Sequence, residues 1–353
     1  MSVTKLAMKI GIVTLGVAMM HAASFAQQAV NLKDKRVLMI IGSEPGGGTD
    51  AVGRLVAPFL SKHLPGNPNV VVQNMPGAGG VVSLRYFETQ VAADGLTITT
   101  SSSTQVDPLL YRKPGANYNP TKYLYVGGIG RGGQFLLINK EAEARLYDKK
   151  KQPLVMGSIS APRSGVQMAL WGIEYLGWNA RWVTAYRGTS ELFLALERGE
   201  IDMTASANYQ QVERALATGK FKVLVQSGTF EDGKLVPRPE LKDSPTLSTM
   251  MEGKLKDDTA RKAFAYWIAT ISTDKWIALP PNTPANIVST YRESFTKLAG
   301  DPEFIEQGKK SSADFTSMSA RDVEELVQTL DSTPDAAIGH MTQMMRNQGI
   351  QVE

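Results

Sequence analysis

The stretch Ser43-Glu44-Pro45-Gly46-Gly47-Gly48-Thr49-Asp50 follows a short apolar run and precedes a segment with helical periodicity. A strand that ends in glycines and continues as a helix leaves backbone N–H groups unpaired in the first helical turn. Those groups, together with the positive end of the helix dipole, favour an anion. A second turn of this kind, at residues 74–80, follows Val70-Val71-Val72. Either the two turns hold a small acidic ligand or they are ordinary β–α connections, and the rest of the chain has to decide.

The same β–α alternation continues on both sides of these turns. Apolar runs at residues 37–41, 70–72 and 96–100 alternate with helical patterns at residues 50–63 and 81–93, which predicts a parallel sheet with right-handed crossovers. A second α/β unit is predicted from residue 154 onward. In such sheets ligands bind beyond the carboxyl ends of the strands, where we expect both glycine turns and Ser101-Ser102-Ser103-Thr104.

A glycine-rich run at residues 127–133 imitates a dinucleotide-binding fingerprint. That motif needs a strand before it and a helix after it, whereas the strand-like Phe135-Leu136-Leu137-Ile138 follows here. We therefore interpret the run as a hairpin-like or hinge segment. The apolar stretch at residues 264–271 is expected to form a further short strand.

The N-terminal segment has the pattern of a secretory signal peptide. Lys5 and Lys9 precede an apolar run at residues 10–20, and Ala22-Ala23-Ser24-Phe25-Ala26 supplies small residues at the cleavage site. We expect residues 1–26 to be removed after Ala26, leaving a periplasmic protein that is not embedded in the membrane. Without Lys5 and Lys9, 36 Lys+Arg face 34 Asp+Glu, and a net charge of +2 gives little reason to expect nucleic acid.

Residues for catalysis or metal binding are sparse. The chain has no cysteine, and its three histidines, His21, His63 and His340, lie far apart without the spacing of a metal site. A phosphate loop needs Gly-Lys-Ser/Thr, whereas Thr49-Asp50 follows the glycines here. These features favour a binding protein without catalytic residues, metal or cofactor. The alternative is an exported hydrolase or transferase that uses Glu44 or Asp50 as a base.

Two motifs resemble the paired signatures of the solute receptors of tripartite tricarboxylate transporters, the Bug-type receptors. They are Pro45-Gly46-Gly47-x-x-Asp50-x-x-x-Arg54 and Val72-x-Asn74-x-Pro76-Gly77-Ala78-Gly79-Gly80. Shorter matches follow in the family's order along nearly the whole chain, among them Ala93-Asp94-Gly95-Leu96-Thr97, Tyr186-Arg187-Gly188 and Gly199-Glu200-Ile201-Asp202. Each match is short, but their ordered set is specific.

The resemblance implies an α/β fold of the periplasmic-binding-protein kind (type II-like). Each of its two lobes would be a mainly parallel sheet flanked by helices, with two crossing hinge strands near residues 135–137 and 266–268. Residues 27–135 and 266–353 would form lobe 1, and residues 136–265 lobe 2. A monomeric receptor of this family would capture a small organic acid and deliver it to the membrane subunits of the transporter. It could instead present the ligand to a signalling kinase as a sensor.

The resemblance also implies the ligand contacts, which would be backbone amides and small polar side chains between the lobes. From lobe 1 they are Ser43, Glu44, Pro45, Gly46, Gly47, Asn74, Gly77, Ala78, Gly79, Ser102, Ser103 and Thr104. From lobe 2 they are Ser158, Ser160, Arg163, Ser164, Tyr186, Gly188, Thr189 and Asp202.

Two positions depart from the family's pattern. Ser43 stands where an aromatic residue is usual, with Glu44 beside it, and Arg163 stands where the turn is commonly uncharged. Arg163 would either pair with a carboxylate or lie on the surface. Glu44 would disfavour a highly charged anion, because two like charges about 4 Å apart cost roughly 4 kcal/mol in a partly wet site. We therefore expect a ligand with one carboxylate and a neutral or hydroxylated remainder near Glu44.

Overall fold

The computed structural model describes residues 30–159, 165–184, 186–231, 234–312 and 315–351. The expected signal peptide and its cleavage site lie outside these ranges. Within them, no helix combines the length and the apolar character needed to cross a membrane.

The described residues form an α/β structure. Its strands are β1 (Arg36–Ile41), β2 (Asn69–Asn74), β3 (Thr97–Ser102), β4 (Leu124–Arg131), β5 (Phe135–Asn139), β6 (Leu154–Gly157), β7 (Ala180–Val183), β8 (Met203–Ser206), β9 (Phe221–Gln226), β10 (Thr229–Glu231), β11 (Lys234–Val236), β12 (Lys275–Leu279) and β13 (Phe315–Ser319). Its helices are α1 (Gly48–His63), α2 (Val81–Gln90), α3 (Pro108–Tyr111), α4 (Glu143–Leu146), α5 (Gln167–Tyr175), α6 (Thr189–Glu197), α7 (Tyr209–Ala217), α8 (Leu247–Met251), α9 (Asp258–Thr270), α10 (Ala285–Ala299), α11 (Pro302–Lys309), α12 (Ala320–Asp331) and α13 (Asp335–Asn347).

The first sheet has the strand order β13-β4-β12-β3-β1-β2. The predicted β-α-β-α-β unit is confirmed, because β1 pairs in parallel with both β2 and β3. Ile41, the last residue of β1, is opposite Asn74 of β2 and Thr100 of β3. This register brings the turns that follow the three strands to one edge of the sheet.

The second sheet has the order β7-β6-β8-β5-β9, and β10 and β11 form a separate hairpin. Strand β6 runs parallel to β7 and β8, whereas β5 is antiparallel to β8 and β9. In the first sheet, β12 is likewise antiparallel to β3 and β4, and β13 to β4. Both sheets are therefore mixed, but most of their strands share one direction: β1, β2, β3 and β4 in the first sheet, and β6, β7, β8 and β9 in the second. The expectation of mainly parallel sheets is confirmed in this sense. The antiparallel strand β5 enters the second sheet directly from β4 of the first sheet.

The glycine-rich run at residues 127–133 leads from one sheet to the other. Strand β4 belongs to the first sheet and β5 to the second, with three residues between them, so the run crosses between the sheets and the hairpin interpretation is wrong. Movement about this crossing, as the hinge interpretation expects, stays a prediction. The crossing is held by two bonds: Gln134 N donates to Ser227 Oγ at 2.7 Å, and Ser227 N donates to Gln134 O at 2.9 Å. A Cβ at Gly133 would lie 2.1 Å from Gly228 O, so only glycine fits this crossing.

The expected second crossing strand at residues 266–268 is wrong, because these residues lie within α9. Asp257 caps this helix by accepting a hydrogen bond from Ala260 N at 2.7 Å. The buried residues Ala263, Phe264, Trp267 and Thr270 repeat at helical spacing. The apolar stretch is thus the second half of a helix whose first half is polar. The chain enters the first sheet again at β12, which the sequence reading missed.

Apolar side chains of the described residues pack in three clusters. One fills the space between the first sheet and α1, α10 and α11, where the rings of Phe59 and Phe304 meet at 5.3 Å between centroids. Another lies between the second sheet and α6 and α7. The remaining cluster extends from α9, α12 and α13 to α5, and includes Trp171 and Trp267. The lobe boundaries at residues 135 and 266 stay a prediction.

Candidate functional site

A cavity of about 680 Å³ lies between the two sheets. Residues 42–45, 47–49, 76–80 and 101–105 line it from the first sheet, and we call them the first-lobe wall. Residues 159, 165–166, 186–191 and 205–208 form the second-lobe wall. Gln134, Asp274 and Lys275 complete the lining. Both walls consist largely of turns that follow strands, so the cavity occupies the position where open α/β sheets bind ligands.

Most of the residues expected to contact a ligand line this cavity. They are Ser43, Glu44, Pro45, Gly47, Gly77, Ala78, Gly79, Ser102, Ser103, Thr104, Tyr186, Gly188 and Thr189. Ser160, Arg163 and Ser164 lie outside the described residues. Contact between any of these residues and a ligand stays a prediction.

Three helices begin at the cavity with a glycine as N-cap. Gly47 precedes α1, Gly80 precedes α2 and Gly188 precedes α6, and in the described structure none of the three has a side-chain cap. A serine or aspartate at such a position would place its own oxygen on the first-turn N–H groups. At α1 and α6 glycine leaves this face open to the oxygen of a ligand, whereas at α2 the N–H groups of residues 81 and 82 donate to the carbonyls of Ala78 and Gly77. The dipoles of all three helices favour an anion there.

The turn between β1 and α1 is braced from behind by Asp50, which is 3% exposed. Its carboxylate accepts hydrogen bonds from Gly46 N at 2.8 Å, Arg54 Nε at 3.0 Å and Asn74 Nδ2 at 2.8 Å. Burial by itself would raise the pKa of Asp50, but the bonds from Arg54, Gly46 and Asn74 outweigh it and hold the pKa below its usual value. A carboxylate with both oxygens engaged positions the turn and is poorly suited to act as a base.

The second glycine turn has an unusual backbone. Gly77, Ala78, Gly79 and Gly80 all have positive φ values, between 46° and 137°. A Cβ at Gly80 would lie 2.8 Å from Nε2 of Gln105, a side chain that donates to Gly79 O and accepts from Ser102 N at 2.8 Å. Gln105 thus ties the second turn to the one that follows β3.

Side chains of both walls present polar atoms that are buried and lack a partner. Ser43 Oγ, Ser101 Oγ and Asn208 Oδ1 make no hydrogen bond within the described part of the chain. Buried polar groups are nearly always hydrogen-bonded in native proteins, so each such atom needs an explanation. All three residues line the cavity. A polar ligand between the walls would satisfy them.

Four of the expected contact residues do not line the cavity. Asn74 donates from Nδ2 to Ser43 O at 2.9 Å, so it holds the turn from behind. Gly46 N donates a hydrogen bond to Asp50 Oδ2 at 2.8 Å, and Ser158 N donates one to Val183 O at 2.9 Å. Asp202 lies at the amino end of β8, where it accepts from Arg145 NH2 at 2.7 Å and from the N–H of residue 155 at 2.8 Å. The cavity is at the opposite end of that strand.

The sequence reading missed several residues of the lining. Ser206 is the last residue of β8, and Ala207 and Asn208 follow it. The rule that ligands bind at the carboxyl ends of strands would have found all three. Lys275 could not be found in this way, because β12 was not predicted. Its ammonium is buried in the lining and pairs with the neighbouring Asp274.

Comparison with known proteins agrees with the motifs. No family model matches the chain. It is 37% identical over 113 residues to a UPF0065 protein of Cupriavidus necator, a match that covers 31% of each chain. It is 46% identical over 68 residues to protein BugT of Bordetella pertussis, which covers 19% of this chain and 20% of BugT. The chain thus matches about a third of one curated relative and a fifth of the other.

Solved structures match along nearly the whole length. The periplasmic binding protein BugD has a TM-score of 0.67 at 20% identity, covering 90% of this chain and 98% of BugD. MatC of Rhodopseudomonas palustris with bound malate has a TM-score of 0.66 at 19% identity, covering 86% of this chain and 99% of MatC. An adipate-bound protein of R. palustris has a TM-score of 0.67 at 21% identity, covering 90% of this chain and 98% of that protein. The periplasmic-binding-protein fold and the resemblance to Bug-type receptors are therefore confirmed.

Proposed function

We propose that this protein is a periplasmic solute receptor, which captures a small carboxylate-bearing organic acid between its lobes. It would deliver that acid to the membrane subunits of a tripartite tricarboxylate-type transporter. The similarity to BugT and BugD supports the role, and the malate and adipate bound by two structural neighbours support the ligand class. Removal of residues 1–26 would release the receptor into the periplasm.

The observation that carries this proposal is the convergence of three glycine-capped helix starts on one cavity. A carboxylate bound by the N–H groups of Gly48 and Thr49 would lie at the positive end of α1. The positive ends of the α2 and α6 dipoles also lie at the cavity and stabilise a negative charge there. A ligand of this kind needs no cationic side chain as its main partner. The cavity volume of about 680 Å³ suits a small organic molecule.

Capture would proceed by closure of the lobes. Ser190 Oγ already donates to Gly46 O at 3.4 Å across the mouth of the cavity. A ligand that bridges the two walls binds the closed form more tightly, and shifts an open–closed equilibrium by that difference in affinity. Small-angle scattering should show a smaller radius of gyration with ligand than without. An unchanged radius at saturating ligand would contradict closure.

A thermal-shift screen over organic acids tests the ligand class, since a ligand that binds only the folded form raises the melting temperature. We expect stabilisation by acids with one carboxylate. Calorimetric titration with mono-, di- and tricarboxylates then ranks them, and tightest binding of citrate would contradict a single-carboxylate ligand. If no organic acid binds while an ester or amide is turned over, the receptor function itself is wrong.

A further inference from the structure

Glu44 differs from the other charged residues that line the cavity. Among the described lining residues the cations are Lys275 and Arg187, and the other acids are Asp274 and Glu191. Lys275 Nζ pairs with Asp274, and Arg187 Nε lies 3.6 Å from Glu191 Oε2. The side-chain carboxylate of Glu44 has no hydrogen-bond or ion-pair partner within the described part of the chain, although the backbone oxygen of Glu44 accepts from Gly47 N at 3.3 Å. The described lining therefore carries one uncompensated charge, which is negative.

The position of Glu44 makes this charge important for closure. Its side chain is half-buried, and a Cβ built on Gly188 would lie 3.6 Å from Glu44 Cβ, so the two walls meet here. Closing the lobes removes water from the carboxylate. Burying a charge is unfavourable unless it gains a partner. A ligand that closes the lobes therefore has to bring a hydrogen-bond donor or a positive charge to Glu44.

The other parts of the lining favour the opposite charge. The N–H groups that follow Gly47, at the positive end of α1, attract a carboxylate. We propose that the ligand is a small amino carboxylate, a zwitterion whose carboxylate faces the first-lobe glycine turns and whose cationic nitrogen pairs with Glu44. This inference rests on the proposed receptor function and narrows its ligand class. A hydroxyl group could donate to Glu44 without neutralising it, and a second carboxylate would be repelled.

Matched ligands test the proposal. The 2-, 3- and 4-aminobutanoates, their hydroxy counterparts, butanoate and succinate are titrated calorimetrically into the mature protein. At least one amino compound is expected to bind about tenfold or more tightly than its hydroxy counterpart, which corresponds to roughly 1.4 kcal/mol. Succinate is expected to bind more weakly than that amino compound.

The variant Glu44→Gln removes the charge and keeps the shape of the side chain. It should weaken binding of the preferred amino compound roughly 10- to 100-fold. This range lies between the effects expected for a solvent-exposed ion pair and for a partly buried one. The affinities for the hydroxybutanoates and butanoate should change less than about threefold. Succinate should bind more tightly to the variant than to the wild-type protein. Glu325→Gln is the matched control, because this exposed carboxylate lies outside the lining and pairs with Arg321 at 2.7 Å. It should leave the ranking of the ligands unchanged.

The outcomes separate this inference from the receptor function. If hydroxy or unsubstituted acids bind more tightly than every amino counterpart, the protein remains a carboxylate receptor and the zwitterion proposal is wrong. If Glu44→Gln weakens all ligands equally, the carboxylate serves the nearby start of α6 instead of a ligand nitrogen, which also overturns the proposal. If a thermal-shift screen finds no carboxylate of any class, the receptor function itself fails.

Discussion

The two walls of the cavity are built differently. The first-lobe wall is braced by the side chains of Asp50, Asn74 and Gln105, which hold its three turns from behind. In the second-lobe wall, the described bonds of the turn at residues 186–190 are weaker or more exposed. Tyr186 N donates to Ser158 O at 3.4 Å, and Arg187 N donates to the partly exposed Glu191. We infer that the first wall is preformed and receives the ligand, and that the second completes the site on closure.

The largest effect is expected from Asp50→Ala, which removes the brace of the first-lobe wall. Three donors would lose their acceptor, which should lower the free energy of unfolding by about 3 kcal/mol and abolish tight ligand binding. Urea denaturation and calorimetric titration measure the two effects. Asp50→Asn is the control of similar shape, and should lose less stability. Equal stability of Asp50→Ala and the wild-type protein would show that the wall does not depend on this residue.

The pH dependence of the same brace has a definite sign. The pKa of Asp50 is lowered in the folded state, so its contribution to stability is present above the unfolded pKa of 3.8. It is lost as the pH falls through the lower folded value. Wild-type stability should therefore decrease below about pH 4, and more steeply than that of Asp50→Asn.

Asp107 ties the last turn of the first-lobe wall to the core and titrates in the opposite sense. Its Oδ1 accepts hydrogen bonds from Leu109 N at 2.8 Å and from the hydroxyl of Tyr266. Burial raises the pKa of Asp107 from 3.8 to about 7, although these bonds oppose the shift. A carboxyl with a raised folded pKa stabilises the fold fully below its unfolded pKa, and this contribution is lost as the pH rises through the folded value.

The variant Asp107→Asn should remove this dependence, because the amide keeps one acceptor oxygen and cannot ionise. Between pH 5 and pH 8 the wild-type protein should lose about 2 kcal/mol of unfolding free energy relative to the variant. Denaturation at several pH values measures the difference. Parallel pH profiles of the two proteins would show that Asp107 does not titrate in this range.

A pair of glycine substitutions compares the walls directly. Gly80→Ala should cost about 1–2 kcal/mol, because Gly80 has a φ of 98° and its Cβ would lie 2.8 Å from Gln105. Gly188 has an extended backbone, and its Cβ would make only ordinary contacts at 3.6–3.8 Å with Glu44. Gly188→Ala should therefore stay within about 0.5 kcal/mol of wild type. Thermal unfolding of both variants tests the comparison, which equal losses would overturn.

The smallest effect is expected at the exposed pair of the second-lobe wall. The side chains of Arg187 and Glu191 are 79% and 40% exposed, and exposed pairs contribute about 0–1 kcal/mol. Arg187→Ala should therefore leave the melting temperature almost unchanged. A large loss of stability would mean that the second wall is as firmly built as the first.

The predictions made from the sequence agreed best with the structure where they rested on a short, continuous stretch of residues. The β-α-β-α-β unit around the two glycine turns followed from residues that are close together in the chain. The strand at residues 135–138 was recognised for the same reason. The error at residues 264–271 arose because the polar first half of α9, beginning at the N-cap Asp257, was not read together with its apolar second half.

The sequence by itself determined the α/β class, the glycine turns and most of the residues that line the first-lobe wall. Strand ends and helix starts depend on the local pattern of apolar residues and glycines, so their positions can be read from a single chain. Tertiary structure alone decided that Asn74 braces a turn, that Asp202 lies at the far end of β8, and that Lys275 enters the lining. These outcomes depend on strand direction and on contacts between residues far apart in the chain, which no local pattern specifies.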